Sequence, residues 1–139
     1  NLFYRFARLL YLVNRLLYLH TNKHTEHHQM RKIETQMNTA IRNRKDFRSG
    51  NTEVAQFICS ATNRAGAIVK LHGNKIAEVY ANSIVLFDGG WQTVTTKSRL
   101  NAILDEFSAG TGVIQRNFEW FLTYKNLKED FVSGMEVAL

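Results

Sequence analysis

At Asn51 the apolar residues of this chain change period, and that change restricts it to a mixed fold. Before Asn51, Ile33, Met37, Ala40 and Ile41 recur at helical spacing. The spacing predicts a helix over 31–45, with a stop at Ser49-Gly50-Asn51. After it, the stretch 52–60 (TEVAQFICS) is rich in β-branched and aromatic residues. Residues 67–72 then alternate, Ala67, Val69 and Leu71 on one side and Ile68, Lys70 and His72 on the other. Residues 76–80 and 83–87 read as two more short strands. The turns between them fall at 63–66, 72–75 and 81–82. With no proline anywhere, glycine and asparagine must supply these reversals, and His72-Gly73-Asn74-Lys75 is a good tight turn.

The strand pattern breaks at Asp88-Gly89-Gly90-Trp91. Two consecutive glycines open backbone conformations closed to other residues and set the Trp91 ring beside them. A second helix is expected over 96–107, with Leu100, Ile103, Leu104 and Phe107 on its apolar face and Thr95 or Thr96 as N-cap. Ser108–Gly112 (SAGTG) ends it. A strand at 117–124, a polar loop at 125–130 and a closing strand at 131–139 complete the chain. The expectation is an α+β domain over residues 30–139: a small antiparallel meander of about five to six strands with two helices packed on one face. An N-terminal helical extension precedes it.

That extension is unlike the rest. Residues 1–21 carry Leu, Phe and Tyr at nearly every position, interrupted by Arg5, Arg8 and Arg15. The charges argue against a membrane span and leave an apolar, basic helix suited to a membrane interface or a partner. Residues 20–29 read as a His-rich linker. His20, His24 and His28 align on one helix face, but three side chains strung along one helix do not converge on one ion, so no metal is expected. Met30 has the look of a natural start, which would make residues 1–29 translated upstream or added sequence outside the working domain. A single cysteine, Cys59, excludes an intramolecular disulfide.

Charge is unevenly placed. Residues 1–50 hold ten Lys/Arg against three Asp/Glu, and residues 51–139 hold eight against nine. The front of the chain is therefore the part attracted to nucleic acid or an anionic membrane. In the working domain its cations are Arg31, Lys32, Arg42, Arg44, Lys45 and Arg48, and the first five are the candidate nucleic-acid contacts. A second candidate is the start of the second helix, where Thr95, Thr96 and Ser98 offer hydroxyls, Lys97 and Arg99 offer charge, and Trp91 offers a stacking surface. It is not a P-loop, since Thr96 stands where the glycine before Lys-Ser would be. The same residues also read as plain structure, with threonines capping, Trp91 in the core, and Lys97 and Arg99 in water.

Catalytic chemistry finds little footing. Cys59 and His72 are the one conceivable nucleophile–base pair. Asp105 and Glu106 are adjacent on a helix and cannot face each other across a substrate. No catalytic residue and no cofactor is assigned.

At LHGNxIA (71–77), GGWxTxTTKSRLNAIL (89–104) and FVxGM (131–135) the sequence resembles short proteins of tailed bacteriophages, including marine podovirus-like phages, over roughly residues 30–139. The resemblance implies a phage product acting in a host cytoplasm or virion, and it implies no reaction. Three functions follow as expectations. The first is a small nucleic-acid-binding accessory protein. The second is a module for a host or phage protein, such as a host-enzyme inhibitor or a minor virion component. The third is membrane-surface association through residues 1–19.

Overall fold

The computed structural model describes residues 30–139, which form two helices and nine strands in two antiparallel sheets. The readings of residues 1–29 (an apolar basic helix and three aligned histidines) lie outside the described residues.

Helix α1 (Lys32–Arg42) is followed by strands β1 (Phe47–Ser49), β2 (Thr52–Ile58), β3 (Ala65–Leu71), β4 (Asn74–Tyr80) and β5 (Ser83–Leu86). Helix α2 (Val94–Phe107) comes next, then β6 (Thr111–Arg116), β7 (Glu119–Tyr124), β8 (Leu127–Asp130) and β9 (Met135–Ala138). The larger sheet has the order β1-β2-β3-β4-β5-β9, and the smaller has β6-β7-β8. The closing strand thus returns to the first sheet beside β5, where Gly134 N–H donates to Leu86 O and Leu139 N–H to Asn82 O.

The alternation read from sequence is the alternation of burial. Register places Val54 opposite Val69, Val69 opposite Ala77 and Ala77 opposite Leu86, and all four are buried. This face meets the helices: α1 packs on β1 and β2, and α2 on β4. Helix α2 also packs on β6, so it lies against both sheets. Its Leu100, Ala102, Ile103 and Leu104 are completely buried, because neighbours surround it on more than one side. On the other face of the larger sheet the Tyr80 ring lies across Gly66, where an added Cβ would come within 2.8 Å of Tyr80 Cδ1. That glycine leaves room for the ring.

Several boundaries differ from the sequence reading, each for a local reason. Helix α1 stops at Arg42, three residues short of expectation. Arg44 takes a left-handed φ of 54°, Lys45 N–H reaches back to Ala40 O, and Arg44 N–H reaches to Ile41 O. This is a Schellman ending with arginine in the place glycine usually takes. Beyond it Phe47–Ser49 form the edge strand β1, which takes in Ser49 of the expected stop, and Gly50-Asn51 make the turn into β2. The turn of the β3–β4 hairpin is His72-Gly73, both at positive φ, one residue earlier than read. Residues 111–116 form a strand where the helix end was expected over 108–112 and no element over 113–116, and 127–130 form a strand where a polar loop was expected. Their hairpins close through Asn117-Phe118 and Lys125, non-glycine residues in left-handed conformations. The outcome is two sheets where one was expected.

Candidate nucleic-acid interface

The two helices run parallel and meet in register. Residues 34, 38 and 42 of α1, one turn apart, face 98–99, 102 and 106 of α2. Glu34 accepts from Ser98 Oγ at 2.5 Å and Arg99 Nη1 at 2.8 Å; Asn38 Nδ2 donates to Ala102 O at 3.0 Å; Arg42 pairs with Glu106. Glu34 is fully buried and Arg99 nearly so. The second carboxylate oxygen of Glu34 accepts the Arg31 backbone N–H at 3.1 Å, and Arg99 Nε donates to Thr52 Oγ1 at 3.1 Å. Burial alone pushes the Glu34 carboxyl up. The Ser98 hydroxyl, the Arg31 N–H and the Arg99 guanidinium outweigh it and hold the group below the usual carboxylate range. The carboxylate also lies in the first turn of α1 and beside the early turns of α2, where both helix dipoles favour negative charge.

These contacts decide the fate of the expected anion site at the start of α2. The helix begins at Val94, two residues earlier than read. Its N-cap is Thr93, whose hydroxyl accepts Thr96 N–H at 3.1 Å and bonds the Thr96 hydroxyl at 2.9 Å. Thr96 and Arg99 are buried, and Ser98 is turned to Glu34. Thr95 and Lys97 remain half-exposed. The sequence reading named Arg99 for its charge and missed its partner. The available signal was Glu34 itself, a carboxylate set among the apolar positions of α1 beside Ile33 and Met37.

Because Glu34 points inward, the outer face of α1 has no acid. That face is Arg31, Lys32, Thr35, Gln36, Thr39, Arg42 and Asn43, all exposed, over about 16 Å of helix. Arg44, Lys45 and Arg48 continue it as exposed cations past the helix end. Asp46, the one acid in that loop, is bonded to the backbone N–H of Gln56 at 2.8 Å. The structure thus brings Arg31, Lys32, Arg42, Arg44 and Lys45 onto one basic strip. Arg42 keeps half of its side chain exposed despite the pair with Glu106.

Trp91 stands at the end of the molecule where this strip begins. Its side chain is 75% exposed, against the alternative of a core role. The corner that carries it is braced: Gly89 and Gly90 take φ of 69° and 89°, Asp88 Oδ1 accepts Gly90 N–H at 2.9 Å, and Asp88 N–H donates to Ser133 Oγ at 3.2 Å. Gly89 lies against Ile76 and Asn74 beside the turn of the β3–β4 hairpin. That hairpin tip is tied to the β1–β2 turn by His72 N–H to Asn51 O, and Thr52 beside that turn meets Arg99. Turns, corner and both helix starts therefore gather at one end.

Nucleophilic chemistry by Cys59 and His72 is ruled out by position. Cys59 follows the end of β2, whereas His72 is bonded to Asn51 just before its start. The seven-residue strand between them spans about 23 Å. The Cys59 thiol is held below its ordinary range, first by the Thr62 hydroxyl and then by the N–H groups of Thr62 and Ala61. Among the described residues no group of three or more His, Cys, Asp or Glu is placed to hold a metal ion. No described helix is long and apolar enough to cross a membrane.

A small α+β domain with a basic first helix is the class that these features define. The chain belongs to the Kyanoviridae Gp96 protein family, whose model matches residues 30–138. It is therefore a phage protein, and the resemblance to tailed-phage proteins holds at that level. No curated protein and no solved structure matches it.

Proposed function

We propose that this phage accessory protein binds nucleic acid through the phosphate backbone, along the outer strip of α1 and the loop after it. One observation carries the reading: the only acid of α1, Glu34, is buried against Arg99, so the helix offers solvent cations and hydroxyls without a carboxylate. Such a surface attracts a polyanion and releases its counterions on contact. Arg44 adds support. It holds a left-handed conformation at which glycine would be easier, so a cation is kept there at a conformational cost of roughly 1 kcal/mol.

The test is fluorescence anisotropy with labelled DNA and RNA, single- and double-stranded, across salt concentrations. Affinity should fall steeply as salt rises. Replacing Lys32 and Lys45 by Gln should flatten the slope of log K against log salt by roughly 1.4–1.8. A flat salt response, or no binding to any of the four probes at low salt, would rule the function out.

A protein-interaction role has one observation of its own. Phe118, at the tip of the β6–β7 hairpin, is 91% exposed with φ of 65°. A bulky side chain held there against its backbone preference fits a contact with a host or phage protein. Phe118→Asn should abolish recovery of one stoichiometric partner from host lysate; unchanged recovery would remove Phe118 from that contact.

A further inference from the structure

We infer that the nucleic acid taken by this surface is single-stranded, and that Trp91 is the platform on which one unpaired base stacks. The inference rests on the phosphate-binding role of α1 and adds the class of strand. Three features point to it. Trp91 is the most exposed of the two tryptophans by a wide margin, 75% against 3% for Trp120, so its ring contributes little to the core. The backbone of its corner is nevertheless braced by Asp88, Gly90 and Ser133, so the residue is carried on an ordered turn without a folding transition on binding. The charge beside it suits a phosphate chain. The register of α1 on α2 sets Arg31 one turn before Glu34, level with the first turn of α2 and hence with Thr95 and Lys97. Arg31 and Lys32 at the start of the basic strip thus lie at the same end as Trp91.

A base in a duplex has both faces covered by its neighbours, so an aromatic ring on a rigid corner gains little from it. An unpaired base can leave its stack and lie on the indole while its phosphates follow the cations. Val94, 69% exposed and three residues on, lies at the same helix start and adds apolar surface there.

Intrinsic fluorescence separates the two tryptophans by exposure and makes the test direct. The full chain is titrated at low salt with a 20-nucleotide oligo(dT), the matching duplex, and a 20-nucleotide abasic strand that keeps the phosphates and lacks bases. Oligo(dT) should quench the exposed tryptophan, and the abasic strand should bind without quenching. Trp91→Ala should weaken oligo(dT) binding about 5- to 150-fold, the range of one lost base–aromatic stack, and leave duplex and abasic binding within about twofold. Trp91→Phe should recover part of the loss. Equal loss on all three probes, or equal quenching by the abasic strand, overturns the inference. So does oligo(dT) affinity that is unchanged in Trp91→Ala, the result expected if the ring serves a protein partner. In these cases steep salt dependence still upholds the phosphate reading; absence of binding by every probe overturns both.

Discussion

The residue with the greatest influence on this molecule is Glu34. A buried carboxylate persists because three donors converge on it, and its removal would leave Arg99 charged in the interior with only Thr52 as a partner. Glu34→Gln should therefore cost about 3–5 kcal/mol in urea unfolding at pH 7. The pH dependence has a defined sign. The folded carboxyl is held below its unfolded value of about 4.3, so the pair stabilises fully above that pH and loses its effect as pH falls through the lowered folded value. The difference between wild type and Glu34→Gln should accordingly shrink below about pH 4. A constant difference from pH 7 to pH 3 would show that the Glu34 carboxyl titrates alike in the folded and unfolded chains and is not held low by its partners. Arg44 gives a second residue-scale expectation, with opposite effects on two properties. Arg44→Gly relieves the left-handed strain and should raise stability by roughly 1 kcal/mol, while weakening nucleic-acid binding by removing a cation. A variant that gains stability with unchanged affinity would detach Arg44 from the interface.

At the scale of elements, the strands facing the core were legible and the edge strands were not. Residues 67–71 alternate because one side is buried, and 76–80 are apolar because both sides are covered at most positions, so in each the pattern carries the structure. Strand β8, Leu-Lys-Glu-Asp, is exposed at every position and has no apolar face to read. Three-residue β1 has only Phe47 to mark it. Helix α2 was placed from its apolar residues, but its start was set two residues late, because Thr93, Thr95 and Thr96 are all able caps and only the backbone decides among them. Of the candidate site, the basic residues of α1 were legible as a cluster of charge, whereas the inward turn of Ser98 and Arg99 was not. Side chains three to four residues apart share a face, and the sequence does not say which face a neighbouring helix will cover. Asn101 is a further case. Its amide accepts from Val113 N–H at 2.7 Å and donates to Val113 O at 2.9 Å, taking the place of a neighbouring strand along β6. Nothing in the local pattern distinguishes it from a surface asparagine.

At the scale of the whole molecule, α2 joins the two sheets. Its buried residues pack against β4 on one side and β6 on the other, so a cavity in α2 should weaken both. Ile103→Ala should cost about 2–5 kcal/mol. Native-state hydrogen exchange should then speed up in β3–β4 and β6–β7 together. Acceleration confined to one sheet would show that the two unfold separately.

The parallel arrangement of the helices also has a bearing on how the protein is made. Antiparallel neighbours can pair as soon as a short loop has been synthesised, but Glu34 and Arg99 are separated by five strands of sheet. At a synthesis rate of roughly 5–20 residues per second, α1 waits on the order of 3–13 s for its partner to leave the ribosome. Throughout that interval the Glu34 carboxylate is hydrated and exposed, and α1 is too short to hold its own helix in water. The contact that fixes the basic strip is of high contact order and forms late. The surface proposed to bind nucleic acid therefore takes shape only after most of the chain has been synthesised.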